Sequence, residues 1–225
     1  MDLTTILLVA PVLLFSLVAH EYAHGYAALR QGDPTALQLG RLTFNPVKHI
    51  DPFMTVLVPI MLAVAGGPIF GGAKPVPVET RNFKHYKRGD IIVSLAGVAT
   101  NLLLAPLCAV LVVAIGALGR GVPALTPSLA ILQVMMLYGV LVNLTLAVFN
   151  LLPLPPLDGS RVFKYLLPPA WAIQYQQAGR FGFLLLFLLL SFGGGFMRTW
   201  MAPAYALFGA AQRAAAPFLL PNPLA

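Results

Sequence analysis

The sequence predicts an all-α polytopic membrane protein of about five to six transmembrane or re-entrant helices, with a small membrane-associated β-hairpin after the first span. Three observations carry this reading. Of the 225 residues, 59% are hydrophobic and only 9% charged, whereas a soluble domain carries about 25% charged residues. Mean hydropathy is +0.84. Apolar tracts of about 18 residues or more recur, each long enough to cross the ~30 Å hydrocarbon core. The length suits a single integral-membrane domain over residues 1–225 and leaves no room for an appended soluble domain of ordinary size.

The first tract runs from Leu3 to Leu29. It lacks the basic start of a signal peptide and carries His, Glu and His in its second half. Arg30 follows it, so the positive-inside rule puts the N-terminus outside and the Arg30 end in the cytoplasm. Residues 36–45 alternate apolar and polar after the turn signal Gly32-Asp33-Pro34, which predicts one or two short strands. The apolar stretch 53–70 contains Pro59 and the break Gly66-Gly67-Pro68. Basic segments flank it on both sides, at 30–50 and 71–90, so a helix that re-enters and returns keeps both in the cytoplasm. Residues 91–118 then cross outward and 129–152 return, with Arg120 between them. The connector 153–180 carries Arg161, Lys164 and Arg180 on the cytoplasmic side. Residues 181–196 cross again, and the tail beyond Arg198 suits an interfacial helix, giving a C-terminal span and helix over about 180–215. Trp171 and Trp200 read as interface or lipid contacts.

The net charge of +7 comes from 14 Lys/Arg against 7 Asp/Glu. With no aromatic-interleaved basic face, these cations are read as topology determinants facing anionic lipid, and nucleic acid is not a partner. The single cysteine, Cys108, excludes an internal disulfide and a thiolate-rich metal cluster.

An ionisable group inside a span costs ~2.5–3.5 kcal/mol on insertion scales and marks function by default. Two places qualify. His20-Glu21-Tyr22-Ala23-His24 lies within the first span. Positions i and i+4 share a helix face, so both imidazoles can meet one metal, and Glu21, about 100° round the helix, can reach water at that metal without being a ligand. The competing reading is a helix with a hydrated polar face. The second place is Asn150-Leu151-Leu152-Pro153-Leu154-Pro155-Pro156-Leu157-Asp158-Gly159. Alone, Asp158 there reads as a helix N-cap after a turn. Beside an incomplete two-histidine site it is a carboxylate able to complete a catalytic zinc centre.

This pairing resembles the site-2 protease family of intramembrane zinc metalloproteases, which carries His-Glu-x-x-His in one span and Asn-x-x-Pro-x-Pro-x-Leu-Asp-Gly in a later one. A further family feature, Gly-x-x-x-Asn, reads here as Gly97-Val98-Ala99-Thr100-Asn101, with Val98 where members often have proline. Residues 49–52 and 72–78 resemble the short bacterial and archaeal branch that lacks PDZ and CBS domains. The resemblance covers residues 10–165, the expected metal-site core. It implies one Zn2+ per chain held by His20, His24 and Asp158, Glu21 as catalytic base, and Asn101 and Asn150 as groups positioning the substrate backbone or oxyanion. It also implies a substrate that is a membrane-spanning protein or peptide, hydrolysed within or near its helix. Without sensing domains, the regulatory input falls to a membrane partner.

Depth supports the returning form of 53–70, since only then do His20 and Asp158 lie in the same cytoplasmic half of the bilayer, as zinc coordination at ~2 Å requires. The 36–45 strand is expected to accept unwound substrate by strand addition. His49 is read as a capping or surface residue that can also line a water path, and His85 as solvated loop. A transporter or proton pathway is the rival for intramembrane His and Glu, but it has no need of the i, i+4 pair joined to a distant Leu-Asp-Gly. Four histidines are too few for a membrane di-iron hydroxylase.

Overall fold

The structure, a computed structural model, describes residues 3–64 and 71–221. Nine α-helices are seen among them: α1 (Leu3–Gln31), α2 (Thr35–Gln38), α3 (Val58–Val64), α4 (Tyr86–Gly121), α5 (Thr126–Asn150), α6 (Asp158–Phe163), α7 (Pro169–Ala178), α8 (Gly182–Phe192) and α9 (Gly194–Ala215). The protein is a polytopic helical membrane protein. Helix α1, helix α4 and the Pro123–Asn150 stretch ending in α5 are long and apolar enough to span a bilayer. They pack on one another as a three-helix core. Their outward faces are apolar, with Leu7, Leu103 and Val110 each more than 60% exposed; such a surface belongs against lipid. Pro11 and Pro106 sit inside α1 and α4, tolerated because neighbouring helices and local adjustments meet the freed backbone groups.

The inter-helix contacts are close where side chains are small. A Cβ at Gly139 of α5 would stand 2.7 Å from Cys108 Sγ of α4. Ala105, Val140, Leu144, Met201 and Ala204 form a buried cluster joining α4, α5 and α9. Trp200 packs against this cluster and donates Nε1–H to the Val148 carbonyl at 2.9 Å, so it ties α9 to α5, where the sequence suggested a lipid contact.

Two expectations are corrected. The β-hairpin over 36–45 is absent: no strand occurs among the described residues. Asp33 Oδ1 accepts from the backbone N–H and hydroxyl of Thr35 and starts the helical turn α2; Gly40 at φ +62° turns the chain back. Asn45 then caps a second short turn by accepting from Val47 N–H. Side chains here offer the backbone partners that a ladder would otherwise supply. The alternation does not sort inside from outside either, since Leu37 and Leu39 are both exposed.

The expected crossing over 181–196 is likewise broken. Helix α8 has 11 residues, about 16 Å of helix, and the chain bends by 92° between Pro169–Phe192 and Gly194–Phe218. Gly193-Gly194-Gly195 interrupts the apolar run, and consecutive glycines carry the largest entropic cost of helix formation. The five to six spans expected therefore become three long helices, or four if the bent pair counts as one.

The break Gly66-Gly67-Pro68 lies outside the described residues. The two ends of the segment that contains it meet: Gly72 N–H donates to the Met54 carbonyl at 3.1 Å and Thr55 Oγ1–H to the Gly72 carbonyl at 2.6 Å. The intervening chain thus starts and finishes at one place, as a returning segment must.

Candidate metal centre

Helix α1 presents His20 and His24 one turn apart on a buried face, with rings in edge contact at a centroid distance of 4.6 Å. Opposite them, α4 places Gly97. A Cβ there would come within 2.5 Å of His20 Cε1 and His24 Nε2, so only glycine leaves space for both rings. The third group arrives from the proline-rich turn after α5. Leu152 and Leu157 are buried with Leu186 and anchor that turn. Gly159 is required because a Cβ would fall 2.3 Å from the Leu151 carbonyl oxygen. Asp158 then opens α6 without capping it.

The geometry brings together three of the residues singled out in the sequence. His20 Nε2 and His24 Nε2 are 3.0 Å apart and lie 3.1 and 3.2 Å from Asp158 Oδ2. Their candidate ligand atoms all fall within 4.8 Å of one another. Glu21, between the histidines, turns away from this face; its Oε2 accepts the backbone N–H of Val76 at 2.8 Å.

Ring tautomers follow from the hydrogen-bond network. His24 Nδ1 is 2.7 Å from the Val93 carbonyl, which can only accept. His20 Nδ1 is 2.6 Å from Asn101 Oδ1. That amide is oriented by its neighbour: Asn143 Nδ2 donates to the Gly139 carbonyl and to Ser16 Oγ. This leaves Asn143 Oδ1 to accept from Asn101 Nδ2 at 2.8 Å. Asn101 must then show its oxygen to His20. Both imidazoles carry their proton on Nδ1 and turn a bare Nε2 lone pair inward. Burial alone would push the Asp158 carboxyl up, but the two imidazoles hold it well below the usual carboxylate range, so it enters the site charged. Its Oδ2 is buried with no hydrogen-bond donor. Two neutral imidazole nitrogens and one carboxylate oxygen converging in a dry pocket repel one another unless a cation lies between them. The donor set fits zinc.

Asn101 is fully buried behind His20. Asn150 donates back to the Leu146 carbonyl of its own helix at 2.9 Å. His49 is buried and its Nε2 contacts the Thr43 carbonyl at 2.9 Å, away from the cluster. His85 stands at the N-terminus of α4, exposed.

Four contributing residues escaped the sequence reading. Ser16 and Asn143 complete the amide chain behind His20. Asp90 and Lys164 pair at 2.6 Å, with the Tyr165 hydroxyl donating to the same Asp90 oxygen at 2.8 Å, and together they clamp the end of α6 to α4. A search for uncharged amides and hydroxyls inside spans, as well as charges, would have found the first two.

The model of peptidase family M50 matches residues 8–191. The Bacillus subtilis protein provisionally named zinc metalloprotease YwhC is 42% identical over 177 residues, covering 79% of this chain and 77% of that protein. Proteins provisionally named zinc metalloprotease Rip2 are each 33% identical. The one from Mycolicibacterium smegmatis aligns over 79% of this chain and 64% of its own length. The one from Mycobacterium tuberculosis strain H37Rv aligns over 90% and 74%. No solved structure matches the chain significantly.

Proposed function

The chain belongs to peptidase family M50, and from that premise we propose that it is an intramembrane zinc metalloendopeptidase of the site-2 protease type. The observation that carries the reading is the convergence of His20 Nε2, His24 Nε2 and Asp158 Oδ2, three ligand atoms drawn from motifs 134 residues apart (158 − 24). In this reading they hold one Zn2+, which supplies Lewis-acid polarisation of water and of the scissile carbonyl. Glu21 takes the proton from the attacking water and passes it to the leaving amine. Asn101 acts through His20: by accepting its Nδ1–H it fixes the tautomer and the ring. Asn150 is assigned to positioning of the substrate backbone.

The substrate is a membrane-spanning protein or peptide. Its carbonyls are hydrogen-bonded within the helix, so it must unwind locally at the site. The enzyme sits in the cell membrane as a multi-pass protein with the centre in the cytoplasmic half of the bilayer, where basic connectors and α6 lie, and a membrane partner supplies regulation. Zinc per chain in detergent-purified wild type, Glu21→Gln and Asp158→Ala tests this. One zinc is expected in wild type and Glu21→Gln, and a deficit in Asp158→Ala. A zinc-free wild type after metal-replete expression would sink the reading.

A further inference from the structure

The segment Gly71–Glu79 forms neither helix nor strand, yet it is fastened along its length. Gly72 is tied to Met54 and Thr55. The Lys74 N–H donates to the His49 carbonyl at 2.8 Å. Arg41 Nη2 donates to the carbonyls of Lys74 and Pro75 at 2.9 and 3.3 Å. At the far end, Glu79 N–H donates to Asp33 Oδ2 at 2.8 Å. The middle of this strap lies directly on α1: Val76 is buried, and a Cβ at Gly25 would meet Val76 Cγ1 at 2.9 Å. There Val76 N–H meets Glu21 Oε2.

Residues 75–77 read Pro-Val-Pro. Proline has no N–H and a fixed φ, so this stiff stretch offers α1 a single amide donor, and that donor is spent on Glu21. A glutamate has a flexible stem and several rotamers; one charge-assisted hydrogen bond to one oxygen selects among them. We propose that the Val76 backbone N–H is a positioning group for the catalytic base: it holds Glu21 Oε2 and leaves Oε1 for the proton transfer. In this view Arg41, His49 and Asp33 are the fasteners of the strap that carries that donor. The inference rests on the reading of Glu21 as base.

The test uses the full zinc-loaded chain in detergent and a synthetic single-span peptide with a fluorophore and quencher flanking its apolar segment. Val76→Pro removes the donor, and so does a backbone ester at position 76, made by suppressing a stop codon with the α-hydroxy acid analogue of valine; valine returned by the same route is the control. Both changes are expected to lower kcat by about 10–100-fold, the scale of small misplacements at a reacting centre, with KM and zinc per chain unchanged. Independently of turnover, the Val76 amide is expected to be protected from hydrogen exchange in wild type and to exchange at least about tenfold faster in Glu21→Ala, as a lost hydrogen bond of ~1.4 kcal/mol or more implies. An ester variant with unchanged kcat, one with raised kcat (the contact then being a latch), or exchange unaffected by Glu21→Ala would overturn the proposal. Wild-type kcat in Glu21→Gln would instead overturn the assignment of the base beneath it.

Discussion

The two sides of the His20–Glu21–His24 turn are built from different material. On the histidine side every contact comes from a long helix: Asn101, Val93 and Gly97 from α4, with Asn143 from α5 behind them. On the glutamate side the contact is one backbone amide of a strap held by side chains. Ligands that must meet a metal at ~2 Å are fixed by rigid, buried neighbours. The base, which must work beside an unwound substrate, is held by a segment without regular structure. A single five-residue motif thus draws on two kinds of support, and each fails differently when broken.

The rigid side is expected to break hardest. Gly97→Ala drives a Cβ into both imidazoles at 2.5 Å, and neither ring can retreat without abandoning its Nδ1 partner. Zinc affinity is expected to fall by more than about 100-fold, beyond what loss of a supporting residue costs. Unfolding of the metal-free protein should shift by only about 1–3 kcal/mol, as for other overpacked sites. Metal analysis alongside thermal unfolding checks this. Retention of zinc would show that the wall opposite the histidines yields, and the contrast between the two sides would weaken.

One step back from the metal the effect should be graded. Asn101→Leu removes the acceptor that fixes the His20 tautomer, and zinc affinity should drop by about 10–100-fold. Asn143→Leu leaves that acceptor in place and removes only its orienting partner, so a smaller loss is expected. Chelator competition on both variants ranks them. Equal losses would mean that the amides act as one unit; a larger loss in Asn143→Leu would contradict the order of the chain.

The same division decides what the sequence disclosed. His20, Glu21 and His24 are legible because a regular helix turns spacing into geometry, and Asp158 because a carboxylate next to a lipid-length tract demands a reason. Ser16 and Asn143 are uncharged and pass for ordinary polar residues of a span. The strap has no periodicity, since side chains satisfy its backbone; alternation at 36–45 was mistaken for a strand for the same reason. Apolarity marked 181–196 as a span but said nothing of where three glycines would bend it. What is carried by a repeating backbone can be read in one dimension, and what is carried by side chains reaching across it cannot.

The strap side should give the smallest effect, and one with a pH signature. Asp33 is fully buried at the exit of α1. Burial works against its charge, but the Thr35 hydroxyl and N–H, the Asn82 amide and the Glu79 N–H all donate to it, and they hold its pKa below the ordinary 3.8. A carboxyl depressed by folding contributes stability that is fully present above the unfolded value and is lost as pH falls through the folded one. Asp33→Asn presents an NH2 to one of those donors and is expected to cost about 1–3 kcal/mol at pH 7. Thermal unfolding should show that cost constant from pH 7 down to about 5 and shrinking below about 4, where wild-type Asp33 itself takes up a proton. Zinc content should not change at any of these pH values above 5, because the fastener acts on the strap and not on the histidine wall. A cost that persists unchanged at pH 3 would mean that Asp33 stabilises the turn by shape alone, and loss of zinc in Asp33→Asn would erase the separation between the two sides.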